Sequence, residues 1–167
     1  WRSIPRSAVL TLTLAVLLFV TGLAWPQEVA PAAGPRFHAV APRTPQELQE
    51  LFKHTGEALP LVSAHRGGPQ KNLPENCLAT FEQTLRHTWS MLEIDLRYTK
   101  DGVLVLNHDP TLNRTTSGTG RVEDHTLQEL RQLRLKDRFG TLTDNRIPTL
   151  DEAMEWARGK TILILDK

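Results

Sequence analysis

The chain has 167 residues, 40% hydrophobic and 23% charged, and its 20 basic and 19 acidic side chains leave a formal charge of +1. These proportions suit a folded soluble protein, exclude collagen-like, low-complexity and disulfide-scaffold classes, and give no reason to expect nucleic acid as a partner. A single cysteine makes no internal disulfide, so the fold rests on burial.

The first element in chain order is a targeting segment. Arg2 and Arg6 precede an uncharged run from Ala8 to Ala24, and Gly22 and Ala24 supply small residues at its exit. This pattern predicts a secretory signal peptide over residues 1–24, and hence a secreted or periplasmic protein. The run of 17 residues is at the short limit for spanning a bilayer, so a membrane-anchored protein with an uncleaved segment is the alternative. No cysteine closely follows it, which excludes a lipoprotein anchor. The chain opens on Trp1 rather than methionine, so an earlier start is expected.

Residues 25–43 have the Pro/Ala composition of a linker. Thr44 and Glu47 then form a capping box with Pro45 at the first helical position. A short helix within a lead-in over 44–60 should run to about Thr55 and stop at Gly56. Its Leu48, Leu51 and Phe52 should pack on the domain that follows.

Leu61 to His65 reads as a buried strand entering a turn at Gly67-Gly68. Asn76 is the expected N-cap of a helix from Cys77 to about His87, with Leu78, Phe81 and Leu85 on one face. Met91 to Leu96 and Val103 to Asn107 read as strands around a Lys100-Asp101-Gly102 turn, and Pro110 to Gly120 as a loop. Capping boxes at Thr126/Glu129 and Thr149/Glu152 open two more helices. Gly159 ends the second, and Thr161 to Leu165 is an apolar strand. Cys77, Trp89 and Trp156 are expected in the core, and His38, His54, His87 and His125 at the surface.

Strands alternating with amphipathic helices imply parallel β/α units, whose apolar runs at 61–64 and 161–165 should be buried. About 107 residues follow Pro60, whereas a closed (β/α)8 barrel takes roughly 250. The chain is therefore expected to be the first part of a larger α/β protein.

Glu93 and Asp95 sit two apart on a strand and so share a face, with Leu92, Ile94 and Leu96 on the other. Adjacent carboxylates repel unless a cation or an Arg/Lys cluster lies between them; a solvated acidic strand face is the other reading. Asp166 also ends a strand, where α/β folds place their sites. Three carboxylates suit Mg²⁺ or Ca²⁺ better than Zn²⁺. His65 and His108 each close a strand, as a general acid and base would. Arg66 is suited to clamp a phosphate or to form a surface ion pair.

The motifs His65-Arg66-Gly67, Pro74-Glu75-Asn76, Glu93-Ile94-Asp95, Lys100-Asp101-Gly102 and His108-Asp109-Pro110 occur in one register. They are followed by the Asn113–Gly120 loop and by Ile147-Pro148-Thr149-Leu150-Asp151-Glu152. Residues 61–167 thereby resemble the N-terminal part of the glycerophosphodiester phosphodiesterases. The resemblance implies a TIM-type (β/α)8 barrel hydrolase that cleaves small-molecule glycerophosphodiesters to sn-glycerol 3-phosphate and an alcohol, using a divalent cation. It implies that His65 and His108 are the acid/base pair, that Glu93 and Asp95 bind the metal, and that Arg66 contacts phosphate. Glu75 resembles a carboxylate placed near the metal. The family shows Glu-x-Lys on its fourth strand where this chain has Leu165-Asp166-Lys167, so Asp166 aligns with the glutamate as a fourth ligand; were Lys167 the family lysine, Leu165 would take that position. The rival readings are a phospholipase C/D-like phosphodiesterase on the same barrel and an inactive secreted binding module. A membrane enters only through an uncleaved N-terminal segment.

Overall fold

The central element of the computed structural model, which describes residues 36–53, 56 and 60–166, is the nine-residue strand β2, Ser90–Tyr98. The expected signal segment 1–24, residues 25–35 of the expected linker and His54 lie outside the described residues. The first half of β2 is flanked by two parallel strands, β1 (Val62–Ala64) and β4 (Leu163–Asp166). The register pairs Ala64 with Leu92, Leu92 with Leu163, and Asp95 with Asp166. The helix α2 (Leu78–His87) connects β1 to β2, and α4 (Leu150–Ala157) precedes β4.

Beyond Asp95, β2 changes partner. Its last three residues pair with β3 (Leu104–Leu106), and this pairing is antiparallel, Leu96 to Leu106 and Tyr98 to Leu104. The expectation of uniformly parallel units is corrected here, and the cause is the length of the connection. Thr99 N–H bonds the Val103 carbonyl, and Gly102 N–H the Thr99 carbonyl, with Gly102 at φ +78°. So short a turn can only reverse the chain, whereas a parallel crossover takes a dozen or more residues.

Leu92 and Ile94 point into a core with Phe81, Leu85, Leu106 and Ala153, all essentially inaccessible. Burying each such large side chain contributes about 1.5–3 kcal/mol. Trp156 packs against this core with its ring near Phe37 and Phe81, as expected of a core tryptophan. A second cluster, including Cys77, Val105, Leu112, Leu130 and Ile147, lies under the segment from 108 to 147. Cys77 is the expected small buried residue, and burial pushes its thiol pKa up. Both capping boxes form, at the starts of α3 (Leu127–Leu130) and α4, and Arg131 joins α3 to α4 through Glu152 at 2.7 Å.

Several other expectations are corrected. Residues 37–40 of the expected linker are docked: His38 N–H bonds the Leu85 carbonyl, Val40 N–H the Lys160 carbonyl, and Phe37 joins the core. The apolar Phe37 and Val40 give this stretch something to bury despite its composition. The helix α1 (Pro45–Phe52) is capped by Thr44 as expected but ends at Phe52, with Lys53 as its C-cap. Leu48, Leu51 and Phe52 remain 38%, 37% and 57% exposed, because Leu48 and Leu51 border open grooves rather than a facing layer. Leu61, Val62 and Leu165 are also exposed, since no further strand pairs the outer edges of β1 and β4 among the described residues. Trp89 is 58% exposed at the corner before β2, edge-on to a half-buried His38, so neither is where the sequence placed it. His87 is exposed as expected, and His125 is half-buried.

Candidate active site

Alternation along β2 determines the site. With Leu92 and Ile94 committed to the core, Glu93 and Asp95 face the other way. The parallel register sets Asp166 beside Asp95, and one carboxylate oxygen from each of Glu93, Asp95 and Asp166 lies within 4.8 Å of the others. Three like charges at this separation repel strongly, and an all-oxygen donor set fits a hard divalent cation such as Mg²⁺ or Ca²⁺. These three residues could hold one.

The turn after β1 supplies cationic groups to the same place. Arg66, Gly67 and Gly68 have φ of +52°, +80° and +83°, which folds the chain sharply back beneath the end of β1. Arg66 N–H thereby reaches Glu93 Oε2 at 2.6 Å, a charge-assisted bond that offsets the left-handed backbone of a non-glycine residue. Arg66 Nε is buried without a hydrogen-bond partner, 3.8 Å from Asp95 Oδ2, and Nη1 donates to Glu75 at 3.2 and 3.3 Å. His65, exposed, directly follows Ala64 and so stands at the level of Glu93.

Asn76 is not the helix cap. Cys77 occupies that position, and Asn76, at φ +54°, turns its buried amide to Asp95 instead. Asn76 Nδ2 donates to Asp95 Oδ2 at 2.7 Å and Asp95 N–H to Asn76 Oδ1 at 3.0 Å. The pairing with Asp95 prevails over a helix end here, because the Asp95 carboxyl is 2% exposed and a buried polar group needs hydrogen-bond partners.

The reversal into β3 delivers the second histidine. Asn107 N–H bonds the Asp95 carbonyl at 3.1 Å, so His108 emerges beside the acidic group. Arg97 Nε and Nη2 hold the His108 carbonyl at 3.1 and 2.7 Å, and the ring Nδ1 lies 2.7 Å from Asp109 Oδ1. Arg114 holds Asp109 well below the usual carboxylate range, against the opposing effect of burial and with help from His108.

Glu75 is not within the three-carboxylate group. It lies between Arg66 and Arg114, the latter donating Nη1 and Nη2 to it at 2.8 and 2.7 Å. Burial pushes Glu75 up, but Arg114 and Arg66 outweigh it and the net shift is downward. Its bonds to Glu75 and then Asp109 push Arg114 further up. The sequence motifs contain Asn76, Asp109 and Arg114, but they assign Asn76 only the helix-cap role and Asp109 and Arg114 none. The signal for Asn76 was its type, since asparagine tolerates left-handed backbone; that for Asp109 was its place next to His108.

The family model described as the glycerophosphoryl diester phosphodiesterase family matches residues 65–167. The glycerophosphodiester phosphodiesterase of Caldanaerobacter subterraneus subsp. tengcongensis is 44% identical over 105 residues, 62% of this chain and 43% of that protein. A crystal structure of a glycerophosphoryl diester phosphodiesterase from Parabacteroides distasonis superimposes with a TM-score of 0.73 at 51% identity, covering 78% of this chain and 45% of that one. A phosphodiesterase of Oleispira antarctica, solved in complex with the product sn-glycerol-3-phosphate, gives 0.55 at 36% identity over 64% of this chain and 44% of that one. The chain spans less than half the length of each. Its parallel β1, β2 and β4, with their helices, are part of a TIM-type α/β barrel. By its match from His65 onward, this chain belongs to the glycerophosphoryl diester phosphodiesterase family.

Proposed function

We propose that the full-length protein hydrolyses glycerophosphodiesters to sn-glycerol 3-phosphate and an alcohol, with Glu93, Asp95 and Asp166 holding a divalent cation, Mg²⁺ or Ca²⁺. The observation that carries this reading is the convergence of those three carboxylates on the adjacent strands β2 and β4. When bound, the cation would offset the charge of the phosphodiester and of its non-bridging oxygens as the reaction proceeds. Arg66 adds a guanidinium beside the same oxygens. His65 and His108 divide the proton transfers: one takes the proton of the attacking hydroxyl, from water or from the substrate's own glycerol, and the other gives one to the leaving alkoxide. An ionised Asp109 only accepts, so His108 Nδ1 carries a hydrogen toward it and Nε2 is the ring nitrogen left to exchange a proton with the substrate. Glu75 serves here as the carboxylate that holds Arg66 and Arg114 in place.

Glycerophosphocholine hydrolysis, assayed with and without a chelator, tests the reading. Replacing His65 or His108 by alanine should lower turnover by about 10²–10⁴. Activity within a few-fold of wild type in both single variants, or indifference to chelation, would overturn it.

We also propose that residues 1–24 direct export and are removed, leaving a secreted or periplasmic enzyme. N-terminal sequencing of the mature protein checks this; an intact, membrane-retained N-terminus would favour an anchor.

A further inference from the structure

Arg114 lies in the loop after β3, in a stretch anchored by two buried threonines. Thr115 Oγ1 donates to Asn107 Oδ1 at 2.9 Å, and Thr116 Oγ1 to the Leu112 carbonyl at 2.7 Å. The loop is therefore pinned immediately after Arg114, to Asn107 just beyond β3 and to its own Leu112, and Arg114 rides on a fixed support. Its guanidinium meets two carboxylates at once. Nε and Nη2 donate to Asp109 Oδ2 and Oδ1, both at 2.8 Å, while Nη1 and Nη2 donate to Glu75 at 2.8 and 2.7 Å. Four bonds from one rigid planar group fix the orientation of both carboxylates. An ammonium group at the same point would supply the charge but not the fork.

Asp109 Oδ1 also meets His108 Nδ1, at 2.7 Å. The direction of the imidazole ring thus depends on where Asp109 sits, and the position of Asp109 depends on Arg114. The main chain of His108 has a separate anchor, Arg97, which bonds its carbonyl. Only the anchor of the ring passes through Arg114. Glu75 completes the brace: it is nearly buried, with 10% of its side chain exposed, and also accepts from Arg66 Nη1. The turn that follows His65 and the turn that carries His108 are therefore joined by one alternating series of charges.

We propose that Arg114 is a positioning residue for proton transfer at His108, acting through Asp109 and braced by Glu75. This inference rests on the reading of His108 as an acid/base group and assigns the side chain that sets its geometry. Removing Arg114 frees Asp109 to rotate, and the imidazole loses its fixed tautomer and direction, whereas Arg66 keeps its own bonds to Glu93 and Glu75.

The test uses the full-length protein with Mg²⁺ or Ca²⁺ and glycerophosphocholine. Arg114→Ala should lower kcat by about 10–100-fold, with KM within about two-fold of wild type, as for loss of a transition-state interaction alone. Arg114→Lys should not restore it, whereas added guanidinium should partly rescue the alanine variant. In the background of Asp109→Ala, removing Arg114 should cost little more, because the two act in series. Imidazole ¹⁵N spectra, recorded where His108 is neutral, should show a single Nδ1–H tautomer in the wild type and a mixture in Arg114→Ala. An active wild type whose Arg114→Ala variant keeps kcat within two-fold per folded molecule, or keeps the His108 tautomer unchanged, overturns this proposal and leaves the hydrolase reading standing. A wild type inert toward glycerophosphocholine in the presence of either cation overturns that reading and this one with it.

Discussion

Asn76 and Asp95 hydrogen-bond each other twice, side chain to side chain at 2.7 Å and main chain to side chain at 3.0 Å. Both are 2% exposed, so neither atom lost from this pair is replaced by water. The pair ties the turn after β1 to the centre of β2 and fixes one of the three clustered carboxylates.

Asn76→Ala should therefore destabilise the fold by about 1–3 kcal/mol, through the unsatisfied groups it leaves on Asp95. Asn76→Gly removes the same bonds but relieves the left-handed backbone, so it should be the milder of the two. Urea denaturation midpoints of the two variants check the order. Equal or unchanged midpoints would show that the reciprocal bonds carry little.

Gly67 is required by space as well as by its φ of +80°. A Cβ there would lie 2.2 Å from ring carbons of Phe81, a core residue with no exposed surface. Gly67→Ala should cost about 1–3 kcal/mol from overpacking, on top of the backbone term. A thermal melt within a degree of wild type would contradict this.

The arginine-held carboxylates predict a pH dependence of stability. Glu75 titrates below its ordinary 4.5, since Arg114 and Arg66 outweigh burial, and Asp109 below its ordinary 3.8, chiefly through Arg114. A carboxyl whose folded pKa is depressed stabilises the fold fully above its unfolded value and loses that contribution as pH falls through the folded one. The melting temperature should thus decline as pH is lowered from about 5 toward 2. The Glu75→Gln and Asp109→Asn variants should start lower and decline less steeply. Parallel melting curves for the variants and the wild type would exclude these groups as the cause.

Divalent cations should stabilise the protein by mass action, by about 2.7 kcal/mol at a hundredfold excess over the dissociation constant. Melting temperature followed against added Mg²⁺ or Ca²⁺ should rise for the wild type. For Glu93→Gln combined with Asp95→Asn it should stay flat, because the oxygen charges that attract the ion are gone. An equal rise in both proteins would place the ion elsewhere.

The sequence by itself determined what depends on near neighbours. Thr126/Glu129 and Thr149/Glu152 cap helices because both partners lie within one turn, and Leu92 and Ile94 oppose Glu93 and Asp95 because a strand alternates. Only the tertiary structure decided which faces found a partner. It left Val62, Leu165 and Trp89 exposed, turned β3 antiparallel so that His108 returns to Asp95, and moved Asn76 from a helix cap to a carboxylate. It also brought Arg114 to Glu75 across 39 positions. Periodicity and capping chemistry report the direction of a side chain relative to its own backbone, whereas hydrogen bonds between distant segments depend on how the strands are ordered and how the chain turns between them.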